Sequence, residues 1–148
     1  MRQVRRSALV PYAAREMFAL VDDVEAYPRF LPWCNEARVE SREGSVAVAT
    51  IGLHLGPLRK RFTTRNTLRP HESIDMELVG GPFRHLAGGW RFQELTDGGC
   101  KVSLELDFEF ENRLTNRMVG PLFEQTVNSL VDAFIRRAKE IYGPHSPL

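Results

Sequence analysis

Apolar and polar residues alternate cleanly over 102–110. Val102, Leu104, Leu106, Phe108 and Phe110 fall on one side, and Ser103, Glu105, Asp107 and Glu109 on the other. Successive strand side chains point to opposite faces, so this is a strand with one wet face. Shorter stretches repeat the signal upstream. Arg2 to Val10 is partly β-branched and stops at Pro11; Ala37 to Arg42 and Val46 to Leu55 flank Glu43-Gly44-Ser45, a hairpin signal. Leu58 to Arg69 follows Gly56-Pro57. Ile74, Met76 and Leu78 alternate with Asp75 and Glu77 up to Gly80-Gly81-Pro82, and Leu86, Gly88, Trp90 and Phe92 share a face before Asp97-Gly98-Gly99. Connections this short imply an antiparallel meander.

Two segments carry the helical period instead. Met17, Phe18 and Val21 share a face over 13–21; Asp22 and Asp23 then supply a stop and a fresh N-cap for a second short helix from Val24 to Leu31, ended by Pro32. Near Gly120 the period changes for the rest of the chain. Val119, Leu122, Phe123, Val127, Leu130, Val131, Phe134, Ile135, Ala138 and Ile141 recur every three to four residues, and Gly143-Pro144 is a stop. Pro121 marks a first helical turn or a kink after a looser entry through 113–120, and from Pro121 to Tyr142 such a helix is about 33 Å long. The predicted architecture is α+β: a curved seven-stranded antiparallel sheet wrapped around a long C-terminal helix, with two short helices after the first strand. It forms one domain over 1–143 with a tail at 144–148.

A strongly twisted sheet curls, and one helix does not fill its concave face. The expected cavity lining is apolar: Leu53, Leu55, Phe62, Met76, Leu78, Phe83, Leu86, Trp90, Phe92, Leu104 and Leu106 from strands, and Phe123, Val127, Leu130 and Phe134 from the helix. Ligand pockets have this character, and so do ordinary cores. Tyr27, Phe30, Leu31 and Trp33 form an aromatic elbow before the second strand, which suits either a hydrophobic plug or a pocket mouth that touches a ligand or a bilayer.

Composition narrows the classes of function. The chain has 148 residues, 43% hydrophobic and 26% charged, with a net charge of +1. No overall field draws DNA or an anionic membrane. No apolar run approaches the ~20 residues of a membrane span, and the N-terminus lacks the h-region of a signal peptide. A cytoplasmic protein is expected, with any membrane contact peripheral. Cys34 and Cys100 have no metal or redox spacing, and His54, His71, His85 and His145 are scattered without ligand partners. No metal site, cofactor or catalytic residue is predicted. A cyclase would need a polar group aimed into the cavity; Arg38, Glu40, Arg65 and Asn66 are the candidates.

Arg59, Arg61, Arg65 and Arg69 share one face of the fourth strand. That row suits RNA phosphates; equally, it suits cross-strand pairing with acids such as Asp75 and Glu77.

The stretch DDVEAYPRFLPWCNEARV (22–39), with GPL at 56–58, GPFRHLAGGWRF at 81–92 and GPLFEQTVNSLVDAFIRRAKEIYG at 120–143, resembles the START-like (SRPBCC) family that joins coenzyme Q-binding proteins to ribosome-association toxins of the RatA type. Members have been labelled oligoketide cyclase/dehydrase. The resemblance implies the helix-grip fold, also seen in Bet v 1-like proteins. The first function it implies is binding of ubiquinone or a similar polyprenyl quinone or lipid, supporting respiration, with peripheral contact to the inner membrane. The alternative is a toxin that binds the large ribosomal subunit and blocks subunit association. The third is an aromatic polyketide cyclase.

Overall fold

The computed structural model describes residues 1–144. The chain runs β1 (Arg2–Val10), α1 (Ala14–Asp22), a 3-10 helix (Val24–Arg29), β2 (Cys34–Glu43), β3 (Val46–Leu55), β4 (Leu58–Arg69), β5 (Ser73–Gly80), β6 (Phe83–Glu94), β7 (Cys100–Phe110), α2 (Arg113–Asn128) and α3 (Leu130–Tyr142). The seven strands make one antiparallel sheet in the order β1-β7-β6-β5-β4-β3-β2. β2 to β7 form the expected meander. β1 lies outside it, paired with β7, so α1 and the 3-10 helix carry the chain from one edge to the other. His145 and the tail beyond Pro144 lie outside the described residues.

The alternation in β7 is reproduced: Val102, Leu104, Phe108 and Phe110 are almost wholly buried. β6 departs from simple alternation. A register shift between Phe83 and His85 adds a residue, and so Phe83 and Leu86 are both buried despite their odd spacing. The second helix is shorter than the sequence suggests, ending at Arg29, and is 3-10 rather than α. Neither aspartate caps it through its side chain. Asp22 instead accepts a 3.1 Å bond from Arg42 on β2.

The C-terminal helix begins a full two turns earlier than Pro121. Asn112 Oδ1 accepts from the backbone N–H groups of Leu114 (2.9 Å) and Thr115 (3.1 Å), which satisfies two of the orphan donors of a helix start. Pro121 therefore sits inside α2. The helix is then interrupted at Ser129. The Ser129 hydroxyl donates to the Thr126 carbonyl (2.8 Å), and the Thr126 hydroxyl donates to the Leu122 carbonyl (2.9 Å). Such side-chain bonds to preceding carbonyls bend helices. The apolar faces of α2 and α3 still lie on the sheet: Phe123, Val127, Val131, Phe134 and Ala138 are buried, whereas Leu122 and Ile141 from the same periodic run are exposed.

Candidate functional site

Two aromatic clusters form between the sheet and the C-terminal helices. One is centred on Phe134 of α3, whose ring lies 5.3 Å from Trp90, 5.5 Å from Tyr27 and 5.2 Å from Phe30. The other is centred on Phe83, stacked at 4.5 Å on Phe110, with Phe62 at 5.4 Å and Phe123 at 5.3 Å. A cavity of about 80 Å³ remains between them.

Phe62, Met76, Leu86, Trp90, Leu104, Leu106, Phe123, Val127, Leu130 and Phe134 line this cavity, as the sequence suggests, and the elbow residues Tyr27 and Trp33 reach it too. Thr64 and Thr126 also line it. Strand alternation gives Thr64 away, because it shares a face with Phe62; Thr126 lies beside Val127, one turn before the break at Ser129. The other expected lining residues sit elsewhere. Leu31 and Leu53 are sealed in the core, with 2% and 1% exposure. Phe83 is consumed by its stack on Phe110, Phe92 packs against Phe18 at 5.7 Å, and Phe30 is covered by the Arg137 guanidinium at 5.1 Å. Leu55 and Leu78, near strand ends, pack on the margin of the core.

Every hydroxyl on the cavity wall is already bonded to the protein. Tyr27 donates to the Val21 carbonyl, Thr64 donates to Asn66 Oδ1 (2.9 Å), and Thr126 donates to the Leu122 carbonyl. Asn66 faces inward but is spent on Thr64. Arg38 pairs with Glu40 at 3.0 Å on the outer face of the sheet, and Arg65 is exposed there as well. No group of three or more His, Cys, Asp or Glu residues stands in metal-binding array among the described residues. The aromatic elbow is held from below: Tyr27 packs on Phe134, and the Trp33 carbonyl accepts from the His54 N–H at 2.8 Å.

Burial governs the ionisable groups near this interior. It raises the Cys34 thiol to about 11 and the Cys100 thiol to about 12, and it lifts Tyr27 far above the ordinary phenol range, with the Asp22 charge adding to the effect. In the unfolded chain these protons leave at about pH 8.5–10, whereas the native state keeps them. The unfolded state then binds fewer protons, and stability falls as pH rises. It is intact below about pH 8 and drops above about pH 9, by up to ~1.4 kcal/mol per pH unit for each group released only on unfolding. Urea midpoints measured from pH 7 to 11 should be flat at first and then decline; a flat profile throughout would contradict the burial of these groups.

The arginine row keeps its alternation, but two of its four members, Arg61 and Arg65, are tied up in ion pairs. Arg65 pairs with Glu77 (3.3 Å), one of the two acids the sequence offers. Asp75 is taken by Arg91 (2.8 Å), and Arg61 instead pairs with Glu36 on β2. Arg5–Glu105 and Arg84–Glu109 complete a laced outer face. Exposed pairs like these contribute ~0–1 kcal/mol each, so their main effect is to cancel the local field.

Comparison with known proteins places this architecture. Ribosome association toxin RatA of Pseudomonas aeruginosa is 47% identical over 140 residues, covering 95% of this chain and 97% of that protein. The mitochondrial coenzyme Q-binding protein COQ10 homolog B of Xenopus laevis is 28% identical over 141 residues, covering 93% of this chain and 58% of that protein. Among solved structures, a START superfamily protein from Mycobacterium smegmatis superposes with a TM-score of 0.79 at 21% identity, covering 94% of this chain and 98% of that one; this shows the helix-grip fold alone. Residues 10–135 match the family described as polyketide cyclase/dehydrase and lipid transport. With a sheet, a C-terminal helical grip and an interior of this kind, the chain belongs to that family.

Proposed function

We propose that this chain associates with the ribosome, and that its function is binding rather than turnover. The observation that carries this reading is its near end-to-end likeness, at 47% identity, to a ribosome association toxin. The interior supports it. Small-molecule sites usually enclose about 300–1,000 Å³, several times the cavity here. A cyclase must move protons and stabilise an enolate, and the hydroxyls on this wall are committed to the protein's own acceptors.

A quinone or other lipid is the second reading. The break in the helix at Ser129 favours it, because the adjoining Thr126, Val127 and Leu130 all line the cavity. An opening there would admit a tail, at the cost of separating Phe134 or Phe123 from its ring partners.

One preparation tests both. The purified chain, incubated with separated ribosomal subunits and with intact ribosomes, should sediment with one subunit and reduce the intact-ribosome peak as it is titrated. Organic extraction of the same preparation should yield no stoichiometric quinone. Failure to sediment with any ribosomal particle, together with recovery of one quinone per chain, reverses the assignment.

A further inference from the structure

Ion pairs lace much of the outer face, through Arg5, Arg61, Arg65, Arg84 and Arg91. One end of the molecule sets unpaired cations beside a run of exposed apolar side chains. At the β3–β4 tip and the first turns of α2, Arg59, Lys60, Arg113 and Arg117 are all exposed, and none forms an ion pair among the described residues. The packing brings the two elements together. Leu58, Lys60 and Arg61 share a groove with Asn112 and Thr115 at the start of α2. Gly56 at the strand tip sits against Leu122, where a Cβ would lie 3.2 Å from the leucine methyl. Of the nearby acids, Glu36 is bound to Arg61 and Glu124 to Arg2, leaving Glu111 in the groove.

Between these cations runs an apolar stripe. Leu114 and Met118 are 62% and 54% exposed, and Leu122 is 38% exposed. Residues four apart on a helix share a face, so the three form one strip. Large apolar side chains this exposed, flanked by unpaired guanidinium and ammonium groups, mark a contact surface.

We propose that this end of the molecule, the β3–β4 tip with the first turns of α2, docks on ribosomal RNA. The proposal rests on the ribosome reading above and adds the surface and the kind of partner. Arg59, Lys60, Arg113 and Arg117 meet backbone phosphates, and each contact releases condensed counterions. Leu114 and Met118 cover the ground between them, and their contribution persists when salt screens the rest.

The experiment compares the full-length parent with three variants in ribosome co-sedimentation across a salt series. The first carries R59Q, K60Q, R113Q and R117Q. The second carries R15Q, K101Q, R136Q and K139Q, which removes the same charge from exposed cations elsewhere that likewise form no ion pair among the described residues. The third carries L114S and M118S. At about 0.7–0.9 of a log unit per phosphate contact, the first variant should lose roughly 3 from the slope of log K against log salt, and at least about tenfold in affinity near 0.1 M salt. The second should keep the parent's slope. The third should weaken binding by the same factor at every salt concentration.

If the first variant binds as the parent does, with the same slope, the docking surface is wrong while the ribosome reading stands. Equal losses in the first two variants would show diffuse charge attraction and also overturn it. If the parent itself binds no ribosomal particle, the ribosome reading falls and takes this surface with it. Vesicles of phosphatidylglycerol and phosphatidylcholine form the last arm: tip-dependent binding to them, with tip-independent binding to ribosomes, would assign the patch to a membrane instead.

Discussion

Gly88→Ala should destabilise the protein by about 3 kcal/mol, the upper end of the usual range for overpacking. Gly88 lies in β6 at the middle of the sheet, opposite Leu106 of β7 on one side and Met76 of β5 on the other. A Cβ built there would stand 2.1 Å from the Glu105 carbonyl oxygen and 2.8 Å from the Leu106 Cα. Both are backbone atoms of the paired strand, so no rotamer change relieves the clash and β6 must move away from β7. That movement strains a ladder that runs from the Phe83–Phe110 pair to the Glu94–Cys100 pair. At ~2–4 °C per kcal/mol for a domain of this size, the melting temperature should fall by about 10 °C. A circular-dichroism melt within about 1 °C of the parent would show that the strands do not approach so closely.

Phe134→Ala should cost about 3–5 kcal/mol, the range for a buried phenylalanine. The ring is 1% exposed and touches Trp90, Tyr27 and Phe30 together, so its removal disengages α3 from β6 and from the elbow at once. The loss should appear as a lower urea midpoint with little change in slope. There is a second readout. Phe134 is also part of the cavity wall, and truncation opens a larger apolar void that stays dry and accepts small apolar solutes. Benzene should therefore raise the variant's melting temperature and leave the parent's unchanged. A variant indifferent to benzene would mean that the helix collapses into the space.

Much of this arrangement is legible in the residues themselves. The strands show through alternation and through turns such as Glu43-Gly44-Ser45, where Gly44 adopts a φ of +58°. The cavity wall follows from the same periodicity, since Leu104, Leu106, Phe123 and Val127 each occupy the inward phase of a regular element. Errors arise where one local rule is read without its competitor. Pro121 looks like a helix start, yet the Asn112 cap and the capacity of α2 to bury Val119 and Phe123 set the boundary upstream. Phe83 looks like lining until the β6 irregularity and the Phe110 stack are known. Arg61's partner depends on a strand pairing that brings β2 alongside β3, and no local pattern announces Glu36. The size of the residual cavity depends on how two aromatic clusters interdigitate, a property of packing with no counterpart in period.

The place of β1 has a consequence for how the protein is made. Its partners run from Phe108, opposite Arg2, to Cys100, opposite Val10, so the first strand of this sheet in chain order pairs with its last. Closing a loop of that length before any pairing energy is gained makes such topologies slow to fold. A nascent chain can assemble the β2–β6 meander hairpin by hairpin as it emerges, but Val4 and Val10 have no sheet to enter until β7 has left the exit tunnel. The α2 and α3 helices, which bind β1 through Arg2–Glu124 and Arg6–Asp132, come later still. Native structure therefore waits for β7 and the C-terminal helices, and a message truncated before β7 yields a polypeptide in which β1 has no partner strand.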